Sequence, residues 1–95
     1  MEVVIKKVKL MPSRYGGDIF RIDGYYVDEF DKLAKGYTFI DPNNDNARDW
    51  VDVIEVAMQN RGKDIIIDGV RMKKKDTGLW NADSRPYVTE IRDRD

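Results

Sequence analysis

Apolar and polar residues alternate through the opening of the chain. Between Glu2 and Met11, Val4, Val8 and Leu10 share one face while Lys7 and Lys9 take the other, as a half-buried β-strand requires. The run Pro12-Ser13-Arg14-Tyr15-Gly16-Gly17 then interrupts the pattern with turn chemistry. Alternation resumes from Asp18 to Asp28, where Phe20 and Ile22 oppose Arg21 and Asp23, and Gly24 marks a bulge or sharp bend in this second strand. Glu29 to Lys35 reads as one helical turn, and Tyr37 to Ile40 as a short third strand.

The period then changes from two to 3.6. Trp50, Val53, Ile54, Ala57 and Met58 recur on one side of a helix predicted over Ala47 to Arg61, with Asp52, Glu55, Gln59 and Asn60 on the other. Asp41 to Asn46 supplies the side-chain oxygens that cap such a helix, and Gly62 supplies its left-handed stop. Trp50 belongs to the core. Ile65, Ile66 and Ile67 form a buried β-branched strand that Val70 and Met72 extend past Gly69. Asp76-Thr77-Gly78 makes a turn, Asn81 to Pro86 a second loop, and Tyr87 to Ile91 the closing strand.

The predicted fold is thus mainly β with one helix, in the order β-β-β-α-β-β. A five-stranded OB-like barrel places its helix between the third and fourth strands, and an SH3-like barrel is the alternative. Residues 1–92 make one domain and 93–95 a frayed tail.

Composition narrows the chemistry. Lys and Arg number 17 against 18 Asp and Glu, so any affinity for nucleic acid must come from local charge placement. The chain has no Cys and no His. Disulfides, thiol catalysis and the commonest general base are therefore excluded, and Ser13, Ser84, Thr38, Thr77 and Thr89 have no imidazole to activate them. Asp41, Asn43, Asp45, Asp49 and Asp52 partly echo a calcium loop. However, Asn46 stands where that loop needs Gly, and helix capping accounts for the same residues. The expectation is a non-catalytic protein without cofactor or metal. With no apolar run of membrane-spanning length, a cytoplasmic location and no membrane partner are expected.

Two groups of residues could bind a polyanion. Arg71, Lys73, Lys74 and Lys75 form a basic arm, with Trp80 close by and Arg85 in the following loop. Cationic side chains track phosphates, and an aromatic face stacks on a base for about 1–3 kcal/mol. The second group is Arg21, Tyr25 and Tyr26 on the second strand with Arg14 and Tyr15 in the first loop, where an outward Tyr25 beside Arg21 suits the strand-two face that OB-folds use for oligonucleotides. The plainer reading makes the arm a solvated hairpin and the Tyr residues part of the core.

The segment GKDIIIDGVRMKKK, followed by YVTEIR, resembles the last two strands of bacterial single-stranded DNA-binding proteins. Gly62, Asp68, Gly69, Arg71, Lys73 and the trio Thr89, Glu90 and Ile91 match by position, over about the last third of the chain. The resemblance implies single-stranded DNA or RNA as partner and an accessory role in replication or recombination. The rival expectation is a small phage or mobile-element module that docks on a protein partner. The edge of a partly open barrel could also pair with a second copy as a homodimer.

Overall fold

The computed structural model describes residues 1–73 and 77–94. Five strands, β1 (Val3–Pro12), β2 (Asp18–Val27), β3 (Leu33–Ile40), β4 (Lys63–Met72) and β5 (Trp80–Asp93), flank one helix, α1 (Asn46–Gln59), between β3 and β4. They form one antiparallel sheet in the order β3-β2-β1-β4-β5. A parallel bridge between Tyr37 and Leu79 brings β3 against the start of β5 and curls the sheet into an OB-like barrel. Trp50 and Val53 of α1 seal the interior, which is filled by Val3, Ile5, Ile22, Ile40, Ile65, Ile67, Val70 and Trp80.

Several boundaries differ from the sequence pattern, each for a local reason. In β1 the register with β2 shifts between Ile5 and Lys7. That extra residue reverses the alternation, so Val3 and Ile5 share the inner side with Val8 and Leu10, whereas Val4 lies opposite the outward Tyr25. The bulge therefore belongs to β1, and Gly24 is the residue it leans on. A Cβ at Gly24 would overlap the Val4 carbonyl oxygen.

Glu29 to Lys35 is not helical. The Asp28 carboxylate accepts hydrogen bonds from the N–H groups of Phe30 and Lys32, both at 2.9 Å, and Asp31 takes a positive φ of 59°. This closes a tight β2–β3 turn, and β3 begins at Leu33, four residues before the predicted Tyr37. Before α1 the same chemistry serves the loop. Asp41 accepts from the Asn43 N–H, while Asp45 at the helix start makes no side-chain cap.

The expected loop from Asn81 to Pro86 lies within β5, which runs from Trp80 to Asp93, but Asp83 to Pro86 bulge out of the ladder without a partner on β4. Pro86 is tolerated there because the β4–β5 register shifts between Asp68 and Val70, so no ladder hydrogen bond depends on its missing N–H. Gly69 occupies that shift with φ of 92°, and a Cβ would come within 2.9 Å of the Pro86 Cα. Within the predicted tail, Asp93 belongs to β5 and Arg94 is tied down. Arg94 donates to Asp64 at 3.0 Å and to the carbonyls of Lys6 and Lys63 at 2.6 and 3.1 Å. Its guanidinium fills the fork where β1 and β4 part beyond the Ile5–Ile65 pair.

Candidate nucleic-acid interface

Alternate residues of β2 and β3 serve two different sides of the barrel. Inward lie the cross-strand pairs Phe20–Ile40, Ile22–Thr38 and Gly24–Gly36. Outward lie Arg21–Phe39, Asp23–Tyr37 and Tyr25–Lys35, continued on β1 by Lys9 opposite Arg21 and Lys7 opposite Asp23. The outer side is therefore a small platform of three aromatic and four cationic residues, with Asp23 as its acid.

Arg21 organises the platform. Its Nε donates to both Asp23 carboxylate oxygens at 3.0 Å. Its guanidinium carbon lies 4.8 Å from the centre of the Tyr37 ring and 5.1 Å from that of Phe39. The two rings meet edge to face with centroids 5.8 Å apart. The Asp23 hydrogen bond raises the Arg21 pKa above its ordinary value, against a smaller opposing effect of burial. Arg21 is thus a fixed cation whose flat face is already aligned with two aromatic rings.

Two loops border this platform. In the β1–β2 turn the Ser13 N–H donates to the Gly17 carbonyl at 2.9 Å, the Ser13 hydroxyl accepts from the Tyr15 N–H at 3.2 Å, and Gly16 and Gly17 both have positive φ. This turn leaves Tyr15 93% exposed, with Arg14 also in solvent. The β4–β5 hairpin approaches from the other side, because the Tyr37 N–H donates to the Gly78 carbonyl at 2.8 Å. Lys73, whose N–H donates to the Leu79 carbonyl at 2.7 Å, opens that hairpin. Lys74 and Lys75 lie outside the described residues.

The sequence candidates consequently divide. Arg21 and Tyr25 share the platform, with Arg14, Tyr15 and Lys73 in the loops beside it. Arg71 is on another side and pairs with Asp83 at 3.4 Å, while Arg85 reaches across to α1 and pairs with Asp52 at 2.8 Å. Trp80 departs furthest from expectation: it is 1% exposed and cannot stack on a ligand. Its indole lies on Gly36, where any Cβ would overlap the ring, and its N–H has no acceptor among the described residues. Tyr37, Phe39, Lys7, Lys9 and Lys35 were not singled out from sequence. The signal for the first two was present in Tyr37-Thr38-Phe39-Ile40, an alternation with aromatic residues on one face and core residues on the other.

Neither protein-family models, nor curated proteins, nor solved structures yielded a match to this chain. Among the described residues no helix is long and apolar enough to cross a membrane.

Proposed function

We propose that the chain is a non-catalytic single-stranded nucleic-acid-binding protein, acting as an accessory factor in replication or recombination, and that the outer side of β2 and β3 is its binding surface. The observation that carries this reading is the Arg21 guanidinium held over Tyr37 and Phe39 on an open strand face, with Arg14 in one bordering loop and Lys73 in the other. Bases unstacked from a single strand gain from flat aromatic and guanidinium partners, and phosphates from the Lys and Arg around them. A duplex, whose bases are already stacked, offers this surface only its phosphates.

In this reading Phe39 and Tyr37 stack on bases, Arg21 shares that stack and neutralises a phosphate, and Tyr25 and Tyr15 extend the path. Lys7, Lys9, Lys35, Arg14 and Lys73 contribute field and phosphate contacts. With a near-neutral chain the affinity should fall steeply with salt, by a log–log slope of about −0.7 per phosphate engaged. Anisotropy of a fluorescein-labelled oligo-dT, titrated with protein at low ionic strength, tests the proposal. Binding that weakens with salt and with Phe39→Ala supports it, and no anisotropy change at tens of micromolar protein removes it.

A further inference from the structure

A second surface lies on the other flank of β1. Beyond Ile5, β1 continues to pair with β2 but has left β4, whose paired residues end opposite Ile5. Backbone groups on that flank from Lys7 to Met11 have no strand beside them among the described residues. Such an edge is a template for one more strand.

Between this edge and the end of α1 runs a groove of about 620 Å³, within the range of specific binding sites. Its floor is apolar: Val8, Leu10, Met58 and Ile65 line it, and Leu10 is 48% exposed although it belongs to the inner side of β1. Its rim is cationic. Lys7, Lys9, Arg61 and Lys63 line it together with the Lys6–Arg94 pair, and no Asp or Glu is among the described residues lining it. Acids do lie near, but they are engaged. Asp64 binds Lys6 and Arg94, Asp93 binds Lys63 at 3.5 Å, and Asp23, across from Lys7, binds Arg21. Lys7, Lys9 and Arg61 have no acidic partner among the described residues, so the groove carries uncompensated positive charge.

We infer that this groove is a docking site for an extended acidic peptide of a partner protein, which adds as a strand to the Lys7–Met11 edge of β1. Three features favour a polypeptide over a nucleic-acid strand. A free β-edge matches the repeat of a peptide backbone, the floor takes aliphatic side chains, and no aromatic ring lines the groove for a base to stack on. Alternation assigns the ligand's chemistry: apolar side chains turn toward Leu10 and Met58, and acidic ones toward Lys7 and Lys9, while Arg61, whose guanidinium reaches the Met58 sulfur at 3.8 Å, adds positive charge at the helix end of the groove. The five residues of the edge span roughly 17 Å, enough for a short linear motif. This site is separate from the aromatic platform, although Lys7 and Lys9 border both.

The test uses the whole chain and a short fluorescein-labelled peptide alternating Glu with Val and Leu, followed by anisotropy. Saturable binding is expected, weakened at least about tenfold by Arg61→Glu through like-charge repulsion and lost when alternate peptide amides are N-methylated. Phe39→Ala should leave it unchanged. The N-methylated peptide probes the unaltered protein, so the outcome stands even if Arg61→Glu folds poorly. Equal binding of a peptide with Lys in place of Glu, or of the N-methylated peptide, would overturn the inference, as would no binding at all. An oligonucleotide that displaces the peptide and itself loses affinity in Arg61→Glu would assign the groove to phosphate and equally overturn it.

Discussion

The inner and outer sides of β2 and β3 use the same two strands in opposite ways. Inside, the Gly24–Gly36 pair removes side chains altogether, so that the bulged backbone of β1 and the Trp80 indole can press against the sheet. Outside, each paired position carries a large or charged side chain, and the central cation is held by a carboxylate and two rings. Void positions thus govern the fold, and filled positions govern what the surface can grip. A one-residue change of register would exchange the two sets, which makes the Lys6 bulge and the turn at Asp28 essential to both.

The contrast is broken most severely from within. Trp80→Ala should cost about 3–5 kcal/mol of stability, as for other buried Trp residues, and Gly36→Ala should also lower the melting temperature by overpacking the same contact. Denaturant titration reads both. If Gly36→Ala were neutral, the indole would not rest on that glycine. Next comes the outer side: Phe39→Ala should leave the denaturation midpoint almost unchanged but weaken oligo-dT binding by about 1–3 kcal/mol, roughly 5- to 150-fold.

Asp64 gives a subtler separation. Burial opposes its ionised form, but hydrogen bonds from Lys6 and Arg94 outweigh that and hold its pKa below the usual carboxylate value. With the folded pKa depressed, this contribution is complete above the unfolded-state pKa of about 3.9 and disappears as pH falls through the lower folded value. Asp64→Asn should therefore be less stable at neutral pH, by about 1–3 kcal/mol, and should lose less than the parent on acidification. Thermal melts across pH measure this, and parallel curves would exclude the ion cluster as the cause. The smallest effect is expected from Arg85→Ala. Its exposed pair with Asp52 should contribute no more than about 1 kcal/mol, and oligonucleotide affinity should hold within about twofold because Arg85 turns to α1 and not to the platform strands. A large loss of binding would move the interface to the α1 side.

The order of strands and helix was legible in the sequence because it rests on local periodicity. Trp50 and Val53 at helical spacing, and the triple Ile run, carry their burial in their own neighbourhood. Trp80 does not. Beside a run of Lys it looks like a loop aromatic, and only Gly36, distant in sequence, provides the slot that takes it inside. Pro86 likewise reads as a loop residue until the β5 bulge that contains it, opposite Gly69, is known. Half of the candidate site followed from strand-two alternation at Arg21 and Tyr25. The other half, Tyr37 and Phe39, lay within the predicted third strand, but their place beside Arg21 depended on the β2–β3 register, which the turn closed by the Asp28 side chain sets.

Tyr37 has a dual position: its ring forms part of the exposed platform while its amide is bonded to the Gly78 carbonyl. Whatever settles on that ring pulls on the seam where the cylinder shuts. The exchange rate of this single amide proton in deuterated buffer should thus act as a built-in gauge, slowing when occupancy clamps the seam and quickening when it springs open.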